Sequence, residues 1–290
     1  MADKTNPRVI GEYPETFGIA HVEEGIIFGI SGSGVSKKIK ILDARDPGNV
    51  TLVSEVSAPS AWDIDTWGNY MFVSVTPDTG VPEGDEHCVL YVFDISDLSA
   101  PVLLHKAYED YLGERPRRVK VVYPRLYLAA SYAGVSVYDI SSMPPAFLGK
   151  RESGMYVGGL VAIPDGYAYT THGCHWGLTA YDLTDPSDIR EHRLIREAGR
   201  TSSVTSIGTQ FFWTAGDDWI RVFDVTREPL EQLAGWAGSN RGGVGVFEQD
   251  GRLYLHGMDL ERWGASALYD VTNPFELRKL WSTEEVVPCN

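Results

Sequence analysis

The chain has 290 residues, 43% of them hydrophobic, which is enough for a sizeable core. Its 25 Lys and Arg against 40 Asp and Glu give a formal net charge of −15. That balance argues against a nucleic-acid surface and against an anionic membrane surface, because both need clustered cations.

Cys88, Cys174 and Cys289 are too sparse a set for a disulfide framework. The stretch from Met1 to Pro7 has no apolar signal-peptide core. No apolar run approaches the ~18 residues of a membrane helix. The expected compartment is the cytoplasm.

In chain order, one short phrase closes six successive stretches. It reads Ile41-Leu42-Asp43, Val92-Phe93-Asp94-Ile95-Ser96, Val137-Tyr138-Asp139-Ile140-Ser141, Ala180-Tyr181-Asp182-Leu183-Thr184, Val222-Phe223-Asp224-Val225-Thr226 and Leu268-Tyr269-Asp270-Val271-Thr272. From one Asp to the next the steps are 51, 45, 43, 42 and 46 residues. A period in this range without helical patterning marks a β-propeller. The repeated Asp has a local purpose: a short carboxylate at a strand end accepts backbone N–H groups two residues on and fixes the turn.

The third stretch shows the unit. It contains Val119–Val122, a turn at Tyr123-Pro124-Arg125, then Leu126–Ala130, Val135–Asp139 and the outer piece Ala146–Gly149. β-branched and aromatic alternation predicts four short antiparallel strands, one blade. The sequence therefore predicts an all-β, single-domain, six-bladed propeller of four-stranded antiparallel blades, with seven blades the alternative. The blades run over about 15–56, 57–107, 108–151, 152–195, 196–236 and 237–281, and 6–14 is an extra or ring-closing outer strand.

The run Ala61-Trp62-Asp63-Ile64-Asp65-Thr66-Trp67-Gly68-Asn69-Tyr70-Met71-Phe72-Val73, followed by Val92-Phe93-Asp94-Ile95-Ser96-Asp97, resembles the LVIVD repeat family. So does Gly134-Val135-Ser136-Val137-Tyr138-Asp139-Ile140-Ser141. The resemblance covers nearly the whole chain as a structural repeat. It implies a propeller and no particular reaction, and it accounts for Asp63 as part of the repeat.

In such a blade the loop between strands two and three shares a face with the loop leading into the next blade. Repeats vary most on the binding face. The two-to-three loops are unequal: 76–88, 131–134, 171–177, 215–219 and 256–264. They hold four of the seven histidines and two of the three cysteines. The loops leading into blades add Glu109, Arg117, Arg118, Tyr156, Arg200 and Arg241.

Three readings follow. In the first, His172, His175 or His256 is a general acid or base, with Arg118 and Arg241 as anion binders. Tyr156, Trp62, Trp176, Trp219 and Trp263 then wall a small-molecule site. In the second, His87, His172, His175 and His256, with Asp217 or Asp259, hold Zn, Fe or Cu at the channel mouth. Calcium held on backbone carbonyls would leave no sequence trace. In the third, the face binds a ligand or protein without chemistry.

The leading expectation is a small-molecule enzyme, a lyase, isomerase, cyclase or hydrolase, acting on an anionic or apolar organic substrate. No cofactor is assigned, and the partner is a small molecule rather than nucleic acid or membrane. His21 is expected to be a hydrogen-bonded core histidine, and filling of gaps between blades is the plainer reading of Trp62 and Trp67.

Overall fold

The structure is a computed structural model that describes residues 13–76, 84–109, 116–130, 134–152, 157–163, 166–172, 177–195, 201–207, 211–216, 219–224, 231–237, 245–260 and 265–282. Among these residues every sheet is a four-stranded antiparallel one, and there are six. The first is β1 (Ile19–Glu23), β2 (Ile26–Ser31), β3 (Lys38–Asp43) and β4 (Thr51–Ser57). The second is β5 (Ala61–Trp67), β6 (Tyr70–Val75), β7 (Cys88–Asp94) and β8 (Val102–Tyr108). The third is β9 (Pro116–Val122), β10 (Arg125–Ala130), β11 (Gly134–Asp139) and β12 (Ala146–Arg151).

The fourth holds β13 (Val157–Ile163), β14 (Tyr167–His172), β15 (Leu178–Asp182) and β16 (Arg190–Ile195). The fifth holds β17 (Thr201–Ile207), β18 (Phe211–Gly216), β19 (Trp219–Asp224) and β20 (Glu231–Ala237). The sixth holds β21 (Gly245–Gln249), β22 (Arg252–Met258), β23 (Ser266–Asp270) and β24 (Arg278–Ser282).

The chain separates into two compact units, one carrying the first three sheets and the other the last three. The strand expected over 6–14 lies outside the described residues except for Tyr13 and Pro14, which are not in a strand.

Within the first unit the sheets pack face to face. Phe28, Ile30, Ile39 and Ile41 meet Ile64, Met71, Val73 and Phe93 in one buried cluster. Phe72, Leu90 and Val92 meet Val119, Val121, Leu126 and Leu128 in another. From Met71 to Val73 in β6 and from Leu90 to Phe93 in β7, successive residues thus point into opposite clusters. This is why the middle strands read as continuous apolar runs, while β8 at the rim is largely exposed. In the second unit Ile220 and Val222 pack against Leu255, Tyr269 and Val271 in the same manner.

The repeated Asp performs its predicted role. Asp43, Asp94, Asp139, Asp182 and Asp270 accept the backbone N–H of Arg45, Ser96, Ser141, Thr184 and Thr272 at 2.7–3.0 Å. Side-chain and backbone hydrogen bonds from Ser96, Ser141 and Thr184 hold the carboxyls of Asp94, Asp139 and Asp182 below their ordinary range.

The residue after the Asp adds a second tie. Ala44, Ile95, Ile140, Leu183 and Val271 donate their N–H to carbonyls of Gly25, Asn69, Pro124, Gly166 and Leu253, at or beside the turn between strands one and two. The phrase therefore locks the one-to-two and three-to-four turns together at one end of each blade. At the other end, Ala58 and Ser60 donate to Lys37 and Gly34, and Glu109 donates to His87. This joins the two-to-three loops to the connections into the next sheet, as the loop sorting expects.

Candidate functional site

In the first unit the innermost strands β1, β5 and β9 pack side by side, and β5 is the spine of the polar groups among them. Asp63 accepts the N–H of Val119 at 3.1 Å, and Asp65 accepts that of Val121 at 2.7 Å. β9 is the edge strand of its sheet, so alternate N–H groups along it face away from β10 and lack a ladder partner. Two carboxylates spaced two residues apart on β5 point the same way and satisfy two of these donors. This gives Asp63 and Asp65 a structural task, as the repeat pattern implies for Asp63.

Asp63 also has unusual protonation. Burial pushes its carboxyl up to about 6. The Arg118 guanidinium and the N–H groups of Val119 and Ile64 pull the other way, and the charge of Asp65 adds a further push upward.

The end of β5 that faces the two-to-three loops is cationic. Lys37 Nζ lies 5.0 Å from the Trp62 ring centroid and Arg117 Cζ lies 4.8 Å from it. Lys37 also donates to the Ala61 carbonyl at 2.7 Å. Arg118 gives one of its five N–H donors to the Arg117 carbonyl at 3.2 Å and faces Asp63 electrostatically. Trp62 is displaced at a bulge in the β5–β6 register between Ala61 and Asp63, and a bulge re-aims the side chain that it carries.

The opposite end of β5 carries a different set. Thr66 donates its hydroxyl proton to Glu23, so His21 Nε2, at 2.8 Å, donates to the Thr66 oxygen. His21 Nδ1 lies 3.6 Å from Asp65, and Lys120 Nζ lies 3.0 Å from the other Asp65 oxygen. Burial lowers the His21 pKa, Asp65 opposes that shift, Lys120 adds to it and Glu23 opposes it. His21 is thus hydrogen-bonded as expected, but half-buried rather than in the core.

Trp67 is 46% exposed and stacks on Tyr123, in the turn between β9 and β10 of the third sheet, centroids 5.1 Å apart and planes 12° from parallel.

The residues singled out from sequence fall as follows. Arg118 faces Asp63, and the Trp62 ring lies against Arg117 and Lys37, but Arg117 and Arg118 stand in strand β9 rather than in the loop before it. Pro116 begins that strand, as proline does at a strand start, and Arg118 pairs with Ala129. His256 was expected in a loop and instead lies in β22, exposed, opposite Gly245 and Leu268. His172 closes β14 and Trp219 opens β19.

His87 is exposed in the turn before β7. Glu109 is buried and accepts hydroxyl protons from Ser136 at 3.0 Å and from Tyr138, so it latches β11 rather than serving the rim. Asp259 is fully buried with Lys279 at 3.4 Å. Tyr156, His175, Trp176, Asp217, Arg241 and Trp263 lie outside the described residues. Among the described residues no group of three or more His, Cys, Asp or Glu is placed to hold a metal. Also among them, no helix is long and apolar enough to cross a membrane.

Sequence reasoning passed over Lys37 and the grouping of His21, Glu23 and Thr66. Their partners are far away in sequence, and no local spacing announces them.

No protein-family model matches the chain, and no curated protein matches it. Solved structures do. A functionally unknown protein from Desulfotomaculum acetoxidans DSM 771 is 12% identical at a TM-score of 0.69, over 91% of this chain and 81% of that one. A protein from Lactobacillus plantarum is 13% identical at 0.68, over 90% and 82%. The Pseudomonas aeruginosa periplasmic gluconolactonase PpgL is 12% identical at 0.66, over 91% and 84%.

The fold is that of a β-propeller. At these identities the likeness establishes the propeller and its four-stranded antiparallel blades. The resemblance to the LVIVD repeat reaches no further than that.

Proposed function

We propose that this propeller is an enzyme acting on a small organic acid, or on its ester or lactone, at the end of β5 and β9 that faces the two-to-three loops. The observation that carries this reading is a carboxyl titrating near pH 6, Asp63, beside Arg118 and next in sequence to an indole flanked by Lys37 and Arg117. A cationic cluster in a chain of net charge −15 attracts anions where the rest of the surface repels them.

The roles follow from the chemistry. Arg118, with Arg117 and Lys37, binds a carboxylate or the negative charge that develops on a carbonyl oxygen. Trp62 walls the site. Asp63 is ionised above pH about 6, so at neutral pH it takes a proton from an attacking water. It returns that proton to the departing alkoxide, leaving acid and alcohol. The gluconolactonase among the structural neighbours makes lactones the first compounds to try.

The test is a screen of lactones and carboxylate esters with the intact chain, followed by Asp63→Asn and Arg118→Met. Asp63→Asn is expected to lower kcat/KM by about 100-fold or more and to remove the limb of the pH profile that rises near pH 6. Full activity in Asp63→Asn, with loss in His172→Ala, His175→Ala or His256→Ala, would move the chemistry to the histidines and overturn this assignment. We propose as well that the six sheets are the six blades of a single domain, a reading supported by the six copies of the closing phrase.

A further inference from the structure

At the turn end of the first two sheets, away from the cationic cluster, a cleft of about 580 Å³ opens between the blades. Its lining includes Ile26, Phe28 and Ile95, all buried, with Trp67, Glu23 and Glu24. An apolar floor selects a ligand with an apolar body. Every charged side chain in the lining is a carboxylate, so the ligand's polar group is a cation. Trp67 supplies the third element: its indole is half exposed, and Tyr123 backs it in a parallel stack, which holds a π-surface in place at the wall.

Glu24 lines this cleft from a tight turn. The two-residue turn Glu24-Gly25 has φ of 48° and 78°, both in the left-handed region. Turns of this kind favour Asn, Asp or Gly. The same turn reads Asp250-Gly251 in the sixth sheet, and the second sheet has Gly68-Asn69. Glu is not among the residues this conformation favours. Among the described residues it forms neither an ion pair nor a side-chain hydrogen bond that would explain its choice. Its exposed carboxylate lines the cleft.

We propose that this cleft binds a small organic cation, an ammonium group carried on an apolar body. The ammonium sits between Glu23, Glu24 and the face of Trp67, and the apolar body rests on Phe28, Ile26 and Ile95. Cation–π attraction and charge-assisted contacts with two carboxylates are the recognition chemistry. The net charge of −15 adds long-range attraction. This site stands apart from the Asp63 chemistry and does not depend on it.

The probe is choline, titrated calorimetrically into the intact chain alongside its neutral isostere 3,3-dimethylbutan-1-ol. Choline is expected to bind once per chain, and the alcohol at least about tenfold more weakly. Glu24→Gln, a change at an exposed turn, should weaken choline about five- to tenfold. Trp67→Leu should weaken it about three- to thirtyfold, with thermal unfolding run on both variants to confirm that they fold. Equal binding of choline and the alcohol would make the cleft merely apolar. Absence of binding up to about 10 mM, or an affinity unmoved by both substitutions in folded protein, would also overturn the proposal.

Discussion

Strand β5 carries a tryptophan at each end, and the two have opposite surroundings. Trp62 lies between Lys37 and Arg117. Trp67, five residues on, is half exposed in a cleft whose charges are Glu23 and Glu24, and its stacking partner is the neutral ring of Tyr123. A single seven-residue strand therefore separates a cationic end from an acidic one. The separation is maintained by what lies between: Asp63 and Asp65, fixed to the edge of β9, with Arg118 facing the first and Lys120 against the second. In this blade, then, polarity is organised along the innermost strand as well as by the loops, and the two sites proposed at its ends would take ligands of opposite charge.

The largest break in this arrangement is expected from Asp65→Ala. The carboxylate is 4% exposed and serves the Val121 N–H, Lys120 and His21. Its loss leaves a buried donor and a cation without their partner, a defect of about 3 kcal/mol. Urea unfolding measures it, and a change below about 1 kcal/mol would show that water takes over and that β5 does not depend on this residue.

Asp63 allows a finer test, because its effect depends on pH. Its folded-state pKa, about 6, lies above the ordinary 3.8. The folded chain therefore holds a proton that the unfolded chain has released between those values. The stabilisation from that proton is complete below about 4 and is lost as pH rises through 6. After discounting for the solvent that reaches this partly exposed residue, the swing is about 1–2 kcal/mol. Asp63→Asn should flatten this limb of the stability profile. A wild-type limb that rises over the same window would mean that Arg118 and the Val119 N–H outweigh burial, and that Asp63 is a simple ionised bridge.

Much of this was legible in the sequence. The closing phrase works through contacts two residues apart, such as Ser96 N–H to Asp94, so period and turn chemistry identify it directly. The four antiparallel strands of each sheet follow from alternation for the same reason. The sites are less legible because they are built across strands: Val119 reaches Asp63 over 56 positions, and His21 reaches Thr66 over 45. Weighing long loops drew attention to His172 and His256, which stand in strands. It passed over the acidic cleft, which is built partly from two-residue turns. Glu24-Gly25 offered the one local hint, and only its backbone angles make that hint readable.

The smallest effect concerns how the cationic end is assembled. Lys37→Met and Arg117→Met each remove one cation from Trp62, and at a partly exposed ring each is worth about 0.5–1 kcal/mol. If the ring is their shared partner, combining either with Trp62→Leu should cost less than the sum of the two single changes. Double-mutant cycles in urea, repeated at higher salt, measure that difference. Strict additivity would mean that each cation is held by its own contacts, as Lys37 is by the Ala61 carbonyl. Trp62 would then be a bystander to the charge around it. The contrast with Trp67 would rest on backbone geometry alone.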